Sequence, residues 1–184
     1  MRLLPFFAVA LFTAVGCATP TTTERLALPE LQTVERVELD RYLGTWFEIA
    51  SFPQDVQAGC TNTNATYSLR DDGEIDVLNR CTKEGKEDIA NGRARVVDTR
   101  TNAKLEVSFF GPFWGDYWVI ELGGDDNDDG AYDYAVVGHP SRDYLWILSR
   151  ERTVEAGVYA GIIERLKARG YETERLNETA QAAP

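Results

Sequence analysis

From residue 45 onward, short apolar-rich runs alternate with short polar breaks. Eight runs rich in Val, Ile, Tyr, Phe and Trp span 45–52, 62–70, 74–81, 88–97, 103–110, 116–122, 131–138 and 143–150. Gly, Asp, Asn and Pro fill the gaps, most clearly in "RDDGE" (70–74), where Asp72 and Gly73 suit the positive backbone angles of a tight hairpin. Strands this evenly spaced predict an antiparallel meander rather than strands alternating with helices. Eight up-and-down strands suit a closed barrel, which leaves no exposed edge; two packed sheets are an alternative that the strand count leaves open. After residue 150 the period changes. Val154, Val158, Ile162 and Leu166 recur every four residues, with Tyr159 and Ile163 widening the stripe. They predict a helix over 154–169, capped by Thr153 and ended by Gly170. The fold class is therefore all-β with one flanking helix; in the closed arrangement it is an eight-stranded antiparallel up-and-down barrel on whose outer wall the helical stripe packs. The last residues, 177–184 ("NETAQAAP"), read as a frayed end.

Ahead of the runs, "LLPFFAVALFTAV" (3–15) follows Arg2 and is too short to span a bilayer as a mature helix, so 1–16 reads as a signal peptide. It leads into "AVGC" (14–17), which resembles a bacterial lipoprotein signal, with Ala14 where leucine is usual. That resemblance implies cleavage before Cys17 and its acylation. With Ala18 next rather than aspartate, it also implies attachment to the bacterial outer membrane, facing the periplasm. Ordinary secretory cleavage, which would release a soluble periplasmic protein, is the other reading of the same segment. Residues 17–35 are polar, with Thr and Pro, and read as a flexible tether leading to a folded domain over 36–176.

Cysteine use agrees with export. With Cys17 acylated, Cys60 and Cys81 remain as an even pair in an oxidising compartment. They flank a hairpin, and a bridge between them contributes on the order of 3 kcal/mol; two free thiols would suit a reducing compartment instead. The net charge of −11 offers no basic stripe for nucleic acid and disfavours adsorption to an anionic membrane. Any membrane attachment therefore needs a covalent or hydrophobic device, such as a lipid on Cys17.

Three short motifs fall on this frame. "GTW" (44–46) opens the first run, "YDYAVVG" (132–138) is the seventh, and "DYLWILSR" (143–150) closes the eighth. In this order they resemble the three motifs of the lipocalin family, with Tyr132 where the middle motif usually has threonine. The longer stretches "YLGTWFEIASFP", "TNATYSLRDDG", "VSFFGPFWGDYWVI" and "RDYLWILSR" look like those of the bacterial outer-membrane lipocalins, which are lipoproteins. The resemblance implies a calyx that binds a small hydrophobic ligand such as a fatty acid or lysophospholipid, with no cofactor; lipocalins are the standard instance of an eight-stranded barrel with such a cavity. It also marks Gly44, Trp46, Asp133, Tyr134 and Arg150 as family positions. Strand parity supplies a physical role: Trp46 begins the first strand and Arg150 ends the eighth, its neighbour on closure. A guanidinium over an indole face contributes about 0.5–2 kcal/mol, and Gly44 lets the preceding turn cross the base. The pair is predicted to close the bottom of the barrel.

The same parity places 52–62, 82–88, 110–116 and 138–143 at the open end. Phe113 and Trp114 of "FFGPFWGD" (109–116) then stand at the cavity mouth, as ligand entry or membrane contact, or fold inward as core. Alternation assigns the lining. With Arg93 and Arg95 outward, Gly92, Ala94 and Val96 face in; with Lys104, Glu106 and Ser108 outward, Leu105, Val107 and Phe109 face in; with Glu121 outward, Trp118 and Ile120 face in. Such a lining suits acyl chains, and a barrel filled by its own side chains is the competing reading. "DDNDDG" (125–130) spaces Asp125, Asn127 and Asp129 like half a calcium loop, but Val136 stands at the twelfth position, so a solvated turn without metal is expected. His139, the sole histidine, precedes Pro140 with no recognisable triad, and no catalytic set is expected. A lipid-carrying lipocalin is the leading reading. A lipid-modifying enzyme and a filled, partner-binding lipoprotein are the alternatives.

Overall fold

A computed structural model describes residues 28–124 and 130–182. Cys17, the segment 1–16 read as a signal peptide and residues 125–129 lie outside the described residues. A four-residue helix α1 (Leu39–Tyr42) leads into β1 (Gly44–Ser51). Then follow β2 (Cys60–Leu69), β3 (Ile75–Lys83), β4 (Lys86–Val96), β5 (Lys104–Ser108), β6 (Gly115–Gly123), β7 (Tyr134–Gly138) and β8 (Leu145–Ser149). Each strand pairs antiparallel with the next, and β1 pairs with both β8 and β2. That double pairing closes the sheet into an eight-stranded barrel and decides against two separate sheets. Ser51 of β1 lies opposite Trp146 at the start of β8, and Phe47 opposite Ser149 at its end, so the β7–β8 and β1–β2 loops share the open end, as parity predicts.

The core has two parts, one on each side of the β1/β6/β7/β8 wall. Inside the barrel, Trp46, Ile75, Val77, Leu105, Val119 and Val137 are buried together. Outside it, Ala50, Ile120, Val136 and Ile147 are buried against Ile162 and Leu166 of α2 (Ala156–Ala168). The helix begins two residues later than the apolar spacing indicates. Its cap is Glu155, whose carboxylate accepts from the Val158 amide at 2.9 Å, rather than Thr153. Its end matches expectation: Gly170 has φ +82°, and the Tyr171 and Gly170 amides donate back to the Leu166 and Lys167 carbonyls in a Schellman arrangement. Arg165 fastens the helix to the barrel by donating to the buried Glu121 carboxylate at 2.8 Å.

Both ends of the domain differ from the sequence expectation. Residues 28–35 are not a free tether. Leu31 is buried in the outer cluster, the Val34 amide donates to Val119 O at 3.0 Å, and Arg142 Nη2 donates to Pro29 O at 2.6 Å. The apolar residues Leu28, Leu31, Val34 and Val37, three apart, give this Pro- and Thr-bearing stretch a face to dock. It runs from the β7–β8 loop, an open-end loop, where Leu31 joins the outer cluster, to the β4–β5 loop at the closed end, where Val37 joins the inner cluster and its amide donates to Thr101 O at 2.7 Å.

The C-terminal segment is also not frayed. Bulges at Glu48/Ala50 in β1 and Thr61/Asn64 in β2 end the β1–β2 pairing at Phe47 and Asn64, leaving unpaired backbone groups above that point. A two-residue strand β9 (Asn177–Glu178) pairs with Ser51 and Ala50, and the residues after it fill the split. The Thr179 amide donates to Ile49 O, the Asn62 amide donates to Ala180 O, and Gln181 Nε2 donates to Glu48 O and Thr63 O. Backbone demand, not apolar pattern, orders this segment. Deleting residues 177–184 is expected to lower stability by about 1–3 kcal/mol, the scale of a few lost hydrogen bonds. Urea unfolding measures it, and an unchanged midpoint would mean that the segment is frayed after all.

Candidate functional site

The closed end is built around Arg150. Its guanidinium carbon lies 3.7 Å from the centre of the Trp46 ring, which is fully buried. Nη2 donates to the carbonyls of Arg41, Tyr42 and Leu43 at 2.8, 3.2 and 2.9 Å, Nη1 to Thr45 O at 2.8 Å, and Nε to Tyr132 O at 3.3 Å. One side chain thus satisfies the exposed carbonyls at the end of α1 and holds them to β1, β8 and the approach to β7. Trp46 Nε1 donates to Tyr42 O at 2.8 Å. Gly44 is required by its φ of +94° more than by crowding, since a Cβ there would stand 3.5 Å from Arg150 Nη1. Asp133 and Tyr134 act beside this closure: the Asp133 amide donates to Gly123 O, its carbonyl accepts from the Arg150 amide, and the Tyr134 hydroxyl donates to Glu121 at 3.1 Å.

Above this floor lies a cavity of about 340 Å³, open between the β1–β2 and β5–β6 loops. Val77, Val107, Phe109 and Leu148 give it apolar walls. Val56, Phe110 and Phe113 form its rim, 72%, 76% and 77% exposed. Cys60 and Cys81 also border it and are joined by a disulfide, Cα to Cα 5.5 Å, which ties β2 to β3 at the open end.

Of the residues assigned to the lining, Val107 and Phe109 border the cavity. Ala94, Val96 and Leu105 face inward as alternation predicts, but they belong to the packed lower barrel and not to the cavity wall. Gly92 leaves no added space: the Phe109 ring occupies it, and a Cβ on Gly92 would sit 2.7 Å from that ring.

Trp118 and Ile120 require correction. Both lie on the outer face, Trp118 under Lys104 and Ile120 in the cluster beneath α2. Glu121 does face outward, but a bulge between Val119 and Glu121 makes Ile120 and Glu121 both outward, so counting back from Glu121 inverts the strand. The inward residues of β6 are Tyr117 and Val119 before the bulge and Leu122 after it. Trp114 is corrected as well. Its ring stacks 4.2 Å from the Arg95 guanidinium on the outer wall and leaves the mouth to Phe113 and to Phe110, which sequence reasoning passed over.

Two further groups were missed. Glu48 is 6% exposed and borders the cavity, accepting from Ser51 Oγ at 3.2 Å, Gln57 Nε2 at 3.2 Å and Thr179 Oγ1 at 2.6 Å. Alternation from Trp46 would have found it. It also borders a polar groove of about 570 Å³ between the β1–β2 loop and the C-terminal segment. Tyr42, Tyr67 and Tyr117 meet through their hydroxyls at the cavity floor. Burial pushes all three phenols up, Tyr67 to about 12, so they remain neutral.

His139 has neighbours that its sequence context hides. Nδ1 lies 2.8 Å from Ser141 Oγ and Nε2 lies 3.6 Å from Asp116 Oδ2. This cluster sits on the outer side of the barrel, away from the cavity, and the Ser141 amide also donates to Nδ1 at 3.1 Å, which makes the contact part of a local turn. Among the described residues, the one grouping of possible metal ligands is Cys60, Cys81 and Asp88, whose sulfurs are already bonded to each other. The candidate calcium ligands Asp125, Asn127 and Asp129 fall outside the described residues.

A closed eight-stranded barrel, a flanking helix, an Arg-over-Trp base and an apolar cup are what defines a lipocalin. A family model for the lipocalin-like domain matches residues 37–181, and the chain belongs to that family. It is similar to the outer membrane lipoprotein Blc of Vibrio cholerae, 44% identical over 154 residues, covering 82% of this chain and 87% of that one. Its similarity to the outer membrane lipoprotein Blc of Escherichia coli K12 is 39% over 180 residues and 96% of each chain. Among solved structures, insecticyanin from Manduca sexta matches with a TM-score of 0.65 at 20% identity, covering 84% of this chain and 86% of that one, a likeness of fold.

Truncating Trp46 to alanine removes a fully buried indole and the stacking surface of Arg150. The expected cost is about 3–5 kcal/mol, and a thermal melt within a degree or two of wild type would contradict the closure role. Serine at Cys60 or at Cys81 is expected to cost about 2–5 kcal/mol in oxidised protein, equally for the two positions; equal urea midpoints for either variant and wild type would rule out a stabilising bridge.

Proposed function

We propose that this protein is an outer-membrane-anchored lipocalin that carries or stores fatty acids or lysophospholipids in its barrel cavity, without chemical turnover. The observation that carries the reading is the cup itself: apolar walls at Val77, Val107, Phe109 and Leu148 beneath an exposed rim of Val56, Phe110 and Phe113. Burying a methylene there contributes about 0.8 kcal/mol, so a long acyl chain offsets the cost of its own ordering. Val107 and Phe109 are the proposed chain contacts, and Phe113 guides entry. The relatives named outer membrane lipoproteins, matched over almost their full length, support the location.

Anchoring runs through Cys17. Residues 18–27 separate it from the first docked residues, beside the β7–β8 loop at the open end. At ~3.3–3.6 Å per extended residue these ten span at most about 35 Å. A lipid on Cys17 therefore keeps the mouth within reach of the bilayer that supplies its ligand, despite a chain charge of −11.

Native mass spectrometry with added lysophospholipid tests the carrier role. One-to-one uptake with the lipid recovered intact is expected; hydrolysed lipid would replace the carrier by an enzyme, and no uptake would replace it by a filled barrel. For the anchor, wild type is expected to incorporate labelled palmitate and fractionate with membranes, and Cys17→Ser to do neither. Unlabelled wild type in the soluble periplasm would overturn the lipoprotein reading.

A further inference from the structure

The floor of the cavity is polar. Tyr117 Oη lies 2.8 Å from Tyr42 Oη and 2.9 Å from Tyr67 Oη. The three residues are 8%, 3% and 7% exposed, Tyr67 and Tyr117 border the cavity, and Tyr42 packs directly on Trp46 with ring centres 5.2 Å apart. Each phenol carries one hydrogen. Two oxygen-to-oxygen contacts use two of the three, and among the described residues these hydroxyls make no other hydrogen bond. One O–H donor is therefore left over however the hydrogens are arranged. Ionisation does not remove it, because burial holds the phenols neutral. Phenylalanine would fill the same space with no such demand, and a buried hydroxyl without a partner is unfavourable. Higher on the same inner wall, Asn79 Oδ1 is likewise buried without a partner.

We infer that the cavity floor is a subsite for an oxygen at the inner end of the ligand, so that the preferred ligands are amphiphiles whose acyl chain carries a terminal hydroxyl. Tyr67 and Tyr117 are the specificity-determining residues: one of them donates to the ligand oxygen while the other keeps the shared network. A methyl-ended chain binds by its apolar contacts alone and leaves that donor unmatched.

This inference rests on the lipid-binding reading, and its test separates the two. Full-length protein is titrated calorimetrically with hexadecanoic acid, 16-hydroxyhexadecanoic acid and 2-hydroxyhexadecanoic acid. The 16-hydroxy acid is expected to bind about five- to tenfold more tightly than the unsubstituted acid, the worth of one buried hydrogen bond. The 2-hydroxy acid, with its hydroxyl at the head, is expected to show no gain. In Tyr67→Phe/Tyr117→Phe the preference for the 16-hydroxy acid over the unsubstituted acid is expected to vanish, and a cooperative thermal melt shows that the variant is folded. Equal binding of all three acids by wild type overturns the polar subsite and leaves the lipid reading intact. So does an equal gain for both hydroxy acids, or a preference that survives the double substitution. Binding of none of the acids overturns both readings. The wild-type comparison is decisive even if the double variant does not fold.

Discussion

Everything above the base of this barrel depends on how one guanidinium is satisfied. Arg150 arrives at the end of β8 with five N–H donors and a flat face. The donors reach carbonyls of Arg41, Tyr42, Leu43, Thr45 and Tyr132, and the face lies on Trp46. The carbonyls of Arg41, Tyr42 and Leu43 form the end of a four-residue helix too short to be stable alone, so Arg150 serves both as its C-cap and as its link to the sheet. With α1 fixed, Tyr42 is held against Trp46, and the hydroxyl network with Tyr117 and Tyr67 fixes where the cavity stops. The depth of the cup is thus set from below.

The upper half is governed by bulges. In β1 and β2 they separate two strands that pair perfectly well near the base, and the resulting split is closed by the C-terminal segment. That arrangement buries Glu48, whose carboxylate collects neutral donors from β1, from the β1–β2 loop and from Thr179. In β6 the bulge turns two consecutive residues outward, so Ile120 packs beneath α2 while Glu121 receives Arg165. Helix docking and cavity lining are therefore linked: the irregularity that lets β6 hold the helix also puts Tyr117, not Trp118, on the cavity side.

Much of this was legible along the chain. The eight strands, the antiparallel meander, the position of the helix and its glycine stop and the Cys60–Cys81 bridge follow from spacing and composition, and the meeting of Trp46 with Arg150 from the family motifs read together with strand parity. Inward assignments held on β4 and β5, where alternating charges run unbroken from Arg93 to Arg95 and from Lys104 to Glu106. They failed on β6, where one anchor residue lay on the far side of a bulge. They also said nothing of height: Ala94 and Leu105 point the right way but lie where the barrel is filled, whereas Val107 and Phe109, only a few residues on, meet the cavity.

What the sequence by itself determined is what local periodicity and nearest-neighbour chemistry encode: which segments are strands, which face of an unbroken strand is apolar, which residue can cap or turn, and which family the chain resembles. Only the tertiary structure decided where periodicity breaks and what covers the break. Residues 177–182 carry little apolar pattern of their own, and the apolar residues three apart in 28–35 fit neither a strand nor a helix period, yet both segments are ordered, because closure leaves the barrel wall and the β1–β2 split with surfaces and backbone groups that need partners. The same holds for the tyrosine floor, which unites residues from positions 42, 67 and 117. Such contacts arise from strand stagger and barrel closure, long-range constraints that no short window of sequence contains.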